Sequence, residues 1–340
     1  MSDAPRKVGR RWILAPYILV VLLAAGWSAY WFTTRDKIER GFDDQAASLR
    51  QRGYDIGWTA RSVTGFPFRF YVTLRQPTIT EPGGWGLAAP YLEAETAAYN
   101  PSVVVFSAPQ GVTLRQPDGR AYAIKGDVLR MSVGGYSRTP PRISIEGVKL
   151  AIASASGGSP PPLPAIARFE AHLRPAAGDR AQIFVRVDKA SVGGDGLLAR
   201  IAANDPVTLG LDGELSHASA LSGKSWPDLV RRWAAAGGGL DIAQGGISAG
   251  PSMLSLNKSR ITADASGRAA GKLSLSLTRA SDGMMALGEI GVLPRDTASA
   301  AAGLAALRSP TGSAFNASLT FDGGRTLIGP LPIGSAPRLY

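Results

Sequence analysis

The chain has no cysteine and only two histidines in 340 residues. The first absence excludes disulfide scaffolds, zinc fingers, iron–sulfur centres and cysteine nucleophiles. The second excludes, by count, metal centres built on several histidines. Lysine is scarce too: 37 basic residues include only eight lysines, and against 26 acids they leave a net charge of +11. Large apolar side chains are fewer than the 45% hydrophobic content suggests, because about a third of that content is alanine. Glycine and proline are plentiful, 41 and 24 residues, about a fifth of the chain. A sequence apolar enough to fold, poor in large aliphatics and rich in turn formers, reads as mainly β.

One long run breaks that description. Residues 12–32, WILAPYILVVLLAAGWSAYWF, carry no charge. As a helix they span about 31 Å at 1.5 Å per residue, the thickness of a ~30 Å hydrocarbon core. Trp12 and Tyr17 near one end, and Trp27, Tyr30 and Trp31 near the other, are placed as interfacial aromatics. Arg6, Lys7, Arg10 and Arg11 precede the run with only Asp3 against them, while mixed charges follow it. The positive-inside rule predicts an uncleaved membrane anchor with a cytoplasmic N-terminus and the remaining ~300 residues outside. A cleaved signal peptide is the competing reading, but the run continues through Tyr30-Trp31-Phe32, beyond an h-region of about 7–15 residues. From Thr34 the pattern turns amphipathic. Ile38, Phe42, Ala46 and Leu49 predict a stalk helix over 34–53, closed by Gly53, with one face on the exported part.

Beyond Tyr54 the period is two. Phe68, Phe70, Val72 and Leu74 share one face of a strand; Arg69, Tyr71 and Thr73 share the other. Similar alternation marks 54–62, 91–99, 120–133, 142–152, 167–174, 181–188, 207–216, 272–278 and 315–321. One apolar and one wet face predicts antiparallel pairing. The expected fold is therefore mainly β: a transmembrane and stalk helix, then a large antiparallel sheet, curved or groove-like, with one or two short helices. Those helices are expected after Ser225, a good N-cap, and over 295–308. The expected division is anchor 1–33, stalk 34–53, a first β-rich part 54–153, a linker 154–165, and a second β-rich part 166–340, separate from the first or continuous with it. Val72-Thr73-Leu74-Arg75-Gln76-Pro77 recurs as Val112-Thr113-Leu114-Arg115-Gln116-Pro117, which suggests a repeated β unit.

The stretch Gly65-Phe66-Pro67-Phe68-Arg69-Phe70, followed by Trp85 and Tyr99-Asn100-Pro101, resembles the family called domain of unknown function 2125. The ending Gly329-Pro330-Leu331-Pro332-Ile333-Gly334 with Ala336-Pro337 is similar to that family's C-terminal pattern. The resemblance implies a bacterial envelope protein with an N-terminal anchor and no assigned activity, and it supplies no catalytic residues. In general plan the chain also looks like the AsmA-type β-groove proteins associated with lipid handling, which is analogy at the level of fold.

Catalytic patterns are weak. Gly246-Ile247-Ser248-Ala249-Gly250 matches a nucleophile elbow, but Pro251 and a strand pattern follow where a helix is needed, and both histidines precede Ser248. Ser255-Leu256-Asn257-Lys258 matches S-x-x-K, again in a strand. Gly194-Asp195-Gly196-Leu197-Leu198-Ala199 imitates a dinucleotide loop without a βαβ unit around it. Glu93 and Glu95 share a strand face, as acids on wet faces commonly do, and His172 and His217 lack ligand-spaced partners. The arginines are scattered singly, which suits a solvated face or anionic headgroups better than nucleic acid. The reading is a non-catalytic membrane protein with no cofactor and no metal, binding lipid or another apolar envelope ligand. Phe66, Pro67, Phe68, Arg69, Phe70 and Leu74 form the candidate ligand or structural motif. A scaffold for an envelope protein partner is the alternative, and a hydrolase at Ser248 ranks last.

Overall fold

The computed structural model describes residues 11–157, 160–194, 197–202, 205–250, 252–278, 314–329 and 331–340, and the single positions 285, 296, 299, 302 and 303. Arg6, Lys7 and Arg10, and most of the helix expected over 295–308, lie outside the described residues.

Anchor and stalk form one helix, α1 (Arg11–Gln51), without a break at residue 34. Pro16 sits in its second turn, where it deletes one backbone bond. The helix ends at Gly53, whose φ of 89° only glycine adopts readily. Its N-terminal stretch is bare: Leu14 to Leu23 are more than half exposed. Its C-terminal stretch packs on the sheet.

Five pairs of collinear strand segments follow: β1 (Asp55–Gly57) with β2 (Ala60–Thr64), β3 (Arg69–Arg75) with β4 (Thr78–Thr80), β5 (Gly86–Ala88) with β6 (Tyr91–Ala97), β7 (Asn100–Ser107) with β8 (Val112–Arg115), and β9 (Ala121–Lys125) with β10 (Val128–Gly134). Each pair is one long strand kinked in the middle. The kinks coincide across the sheet. Thr59 N–H donates to Arg75 O, Gln76 N–H to Pro90 O, Ala89 N–H to Pro77 O, Ala108 N–H to Leu129 O and Asp127 N–H to Val148 O, all at 2.9–3.1 Å. Two prolines, Pro77 and Pro90, stand where the ladder is already interrupted and no donor is needed. A crease therefore runs perpendicular to the strands.

The crease continues into β11 (Arg142–Ser154) and β13 (Arg180–Ser191), which flank β12 (Ala165–Ala176). Lys149 and Lys189 there take left-handed φ values of 49° and 48°, and both lie opposite Ala167 in register. The first half of β11 pairs with β10 and its last residues pair with β9, so one strand spans both sides of the fold. Leu150 lies in the angle, 6% exposed. It fits because Gly126 and Gly147 lack side chains: a Cβ on either would come within 2.7 Å of its δ-carbons.

Beyond β13 the meander continues through β14 (Val207–Ser216), β15 (Leu240–Ala249), β16 (Ser252–Ala263), β17 (Ala269–Leu277), β18 (Phe315–Asp322), β19 (Arg325–Ile328) and β20 (Leu331–Ser335). Short helices α2 (Leu197–Ala202) and α3 (Trp226–Ala235) interrupt it, and Ser225 Oγ accepts from Asp228 N–H at the start of α3 as expected. Among the described residues all pairings are antiparallel in one 20-stranded sheet, and no pairing closes it into a barrel. The stretch 154–165 joins β11 to β12, which pair with each other from Ile143↔Leu173 to Ala151↔Ala165.

Two differences from the sequence pattern have clear causes. The stretch 120–133 is two strands, because Gly126-Asp127 falls on the crease. The repeated hexapeptide does two jobs: its first copy ends on the crease, its second in the β8–β9 turn.

Candidate functional site

The alternation sorts the sheet into two faces. On one, register places Phe70, Val72 and Leu74 beside Thr96, Ala94 and Leu92, and Ala94 beside Phe106. The row continues through Met131, Ile145 and Ala171 to Val185 and Leu211. The helix α1 covers its near end. Trp31, 3% exposed, stacks on Phe70 at 5.3 Å between centroids and 19° between planes. Its Nε1–H donates to Arg69 O at 3.0 Å, Trp27 Nε1–H to Pro67 O at 2.8 Å, and Tyr30 Oη–H to Ala98 O at 3.0 Å. Further along, Arg61 grips Asp43 with two bonds of 2.8 and 3.0 Å and lies over the rings of Phe42 and Trp58.

Where the helix ends its cover, the same face opens into a cleft of about 440 Å³. Leu129, Met131, Ile145 and Phe169 come from one side of the crease; Leu87, Leu114, Ile124 and Ile152 come from the other. The crease is what makes the cleft, since it turns two stretches of one sheet face toward each other. Its volume lies within the range of about 300–1,000 Å³ usual for ligand pockets. Phe106 belongs both to the packing under the helix and to the cleft wall.

From the cleft, apolar residues continue beyond β13 in two tracks set by register, the first partly covered where Leu198, Ile201 and Ala202 of α2 pack with Leu209 and Ile247. One runs Phe169, Val187, Leu209, Ile247, Leu254, Leu277, Phe315. The other runs Val185, Leu211, Gly245, Leu256, Leu275, Ala317. Most of these side chains are only half-buried.

The opposite face is wet and ion-paired. Arg168 bridges Glu146 and Glu170 at 3.1 and 2.6 Å, Arg130 also meets Glu146, and Arg180 pairs Glu214 at 3.1 Å. On β3, Arg69 pairs with Glu95, and Tyr71 Oη donates to Glu93 at 3.5 Å. Partial burial, helped by the two nearby carboxylates, pushes the Tyr71 hydroxyl above its ordinary pKa.

The motif residues thus separate. Phe70 and Leu74 lie under the helix rather than in the cleft. Phe66 and Phe68 sit on the β2–β3 turn with 49% and 66% of their surface exposed, Phe66 against Trp31 and Phe32. Pro67 carries the carbonyl that holds Trp27, and Arg69 faces the wet side. Tyr17 lies exposed on the bare helix, Trp12 is in its first turns, and Arg11 opens it. Alternation pointed to the cleft face, but nothing local marked Leu129, Met131, Ile124 or Ile152 as facing one another.

The catalytic patterns lack their geometry. Ser248 lies inside β15 between Thr208 and Met253, and Ser255 inside β16 between Gly246 and Ser276. His172 stacks on Phe184 at 5.8 Å and its Nδ1 is buried without a partner. His217 precedes a 3-10 turn with φ 53°, and its side chain makes no capping bond there. In the glycine-rich loop, residues 195 and 196 lie outside the described residues. Among the described residues no group of three acids or histidines is placed to hold a metal.

These features define an antiparallel β-sheet protein with, among the described residues, one helix, near the N-terminus, long and apolar enough to cross a membrane. The model of DUF2125, described as an uncharacterized protein conserved in bacteria, matches residues 31–337, and the chain belongs to that family. No curated protein and no solved structure matches it.

Proposed function

We propose that this protein is anchored in the bacterial inner membrane with its sheet in the periplasm, and that the sheet binds the acyl part of an envelope lipid without catalysing a reaction on it. Residues 54–340 act as one unit in this reading, with 154–165 as a loop inside it. The observation that carries it is the creased cleft, walled by aliphatic and aromatic side chains from strands far apart in sequence and continued by the two tracks. Such a surface offers an acyl chain dispersion contacts and removes it from water, worth about 0.8 kcal/mol per buried CH2. The likeness in plan to AsmA-type proteins agrees with this and adds no residue-level support.

Native mass spectrometry of the full chain in mild detergent, with extraction of co-purifying lipid, is the test. Stoichiometric lipid is expected, lost in Ile145→Asp and kept in Ser144→Asp, whose side chain lies on the other face. An apo mass under conditions that keep lipid on a known carrier would defeat the reading. It would turn attention to a protein partner docking on the β20 edge, which pairs only with β19 among the described residues.

A further inference from the structure

We infer that the β2–β3, β6–β7 and β10–β11 hairpin tips enter the interfacial layer of the membrane beside the anchor, making the end of the sheet a lipid-contacting foot. The inference rests on the anchor reading above and on a length argument the fold supplies. The uncharged segment 12–32 is just long enough, about 31 Å, to cross a ~30 Å core. The structure docks its last six residues on the sheet, through Trp27 to Pro67, Tyr30 to Ala98 and Trp31 to Arg69. The part before these docked residues, 12–26, spans only about 22 Å. The helix therefore crosses the full core only if the docked turns lie within the membrane layer, and the hairpin tips that hold them lie there too.

The tips are built for that position. Phe68, Tyr99 and Tyr136 are 66%, 76% and 61% exposed, one on each hairpin. The tips are adjacent: Ala98 N–H donates to Phe68 O at 2.9 Å, and Tyr136 Oη–H to Pro101 O at 2.9 Å. Phe32 and Phe66, stacked at 5.6 Å and each about half exposed, extend the surface onto the helix. Aromatics with one apolar and one polar end favour the membrane–water boundary. Exposed Arg138 and Arg142 flank Tyr136, where anionic headgroups would meet them.

The absence of cysteine allows a direct test. Single cysteines replacing Val20, Phe68, Tyr99 and Arg120 carry an environment-sensitive nitrobenzoxadiazole label in the full chain, reconstituted in phosphatidylethanolamine–phosphatidylglycerol vesicles. Arg120 lies on the β8–β9 turn, across the crease from the foot. Lipids bearing a doxyl quencher at a shallow acyl position, which reads 68, 99 and 120, and in a second set at a deep one, which reads 20, are then added. Labels at 20, 68 and 99 are expected to emit to the blue and to lose most of their fluorescence, while the label at 120 does neither. Quenching at 20 with 68 and 99 behaving like 120 would overturn the inference and leave the anchor intact. No quenching at 20 would overturn the anchor and the inference together. Blue-shifted but unquenched labels at 68 and 99 would show protein, not lipid, against the foot, and would also overturn it. All four positions are exposed, and Phe68→Tyr tested by vesicle flotation with a far-ultraviolet spectrum guards against misfolding.

Discussion

Trp31→Ala separates two roles that the sequence cannot distinguish. A tryptophan facing lipid at the end of a span can be lost with little effect on the exported fold. The structure instead buries Trp31 to 3% exposure, stacked on Phe70, which is fully buried. Large-to-small changes at such positions cost about 3–5 kcal/mol. The Arg69 carbonyl also loses its partner, adding roughly 1 kcal/mol. Together the change should weaken closure of the helix–sheet unit by about 4–6 kcal/mol, roughly three to four decades in its opening constant. Trp31→Phe keeps the stacking and loses only the N–H, so its cost should be about 1 kcal/mol. Pulse proteolysis of the full chain in nanodiscs across a urea series reads this directly, because β3, whose Phe70 and Val72 are buried, is cut only in the open form. The expected order of midpoints is wild type, Trp31→Phe, Trp31→Ala, with the last step the larger. Equal midpoints for all three would refute the docking of residues 27–31 on the sheet. A cycle with Phe70→Ala should return a coupling of about 0.5–1.5 kcal/mol beyond area burial.

Two glycines predict opposite signs, read by thermal unfolding. Gly65→Ala should destabilise by roughly 1–3 kcal/mol, since φ is 106° and the new Cβ would stand 2.7 Å from Arg69 O. Gly41→Ala, inside α1 with nothing within 4 Å of the added carbon, should stabilise the stalk by about 0.5–1 kcal/mol; a loss there would show that this face packs on something. Asp264 closes the β16–β17 turn, accepting from Arg268 N–H at 2.9 Å and from Ser266 N–H and Oγ–H at 2.8 and 2.7 Å. The Arg268 and Ser266 bonds hold its carboxyl below the ordinary aspartate pKa. A depressed folded-state pKa means its contribution is full above the unfolded value near 3.9 and fades as pH falls through the folded one. Asp264→Asn should therefore lower stability at pH 7 while flattening the acid side of the stability profile, and a carboxyl carbon of Asp264 titrating at or above the ordinary value would contradict it.

The period-two pattern made the strands, their faces and their antiparallel pairing legible, because side chains on a half-buried sheet alternate by geometry and need no partner to be known. Ser225 as a cap and Gly53 as a stop were legible for the same reason: each acts on neighbours a turn away. The family likeness carried by Gly65–Phe70 and by the C-terminal motif holds over residues 31–337. What stayed hidden depends on partners distant in sequence. Trp27, Tyr30 and Trp31 suit lipid as well as protein, and only the position of the β2–β3 and β6–β7 turns decides between them. Phe70 and Met131 alternate alike on the same face, yet one is under a helix and the other lines the cleft. The crease is written in single residues, Gln76-Pro77, Ala89-Pro90, Gly126-Asp127 and Lys149, whose breaks align only once the register is set.

The crease also explains why the two halves differ. A single-layer sheet with one apolar face has nothing to bury that face against. The first half meets this by folding on itself, with Leu150 filling the angle and α1 covering the end that folding does not reach. The second half is not creased in this way: its strands β14 to β18 stay long, and the tracks through Leu211, Leu256 and Leu275 remain half-exposed. Its polar face has no such shortfall, since arginine–carboxylate pairs and serine rows satisfy it. An apolar stripe that the described residues leave half-exposed is costly to keep in a monomer unless something covers it. The stripe begins at the cleft and the cleft begins where α1 leaves the sheet, which is why the function proposed above looks to lipid for the cover.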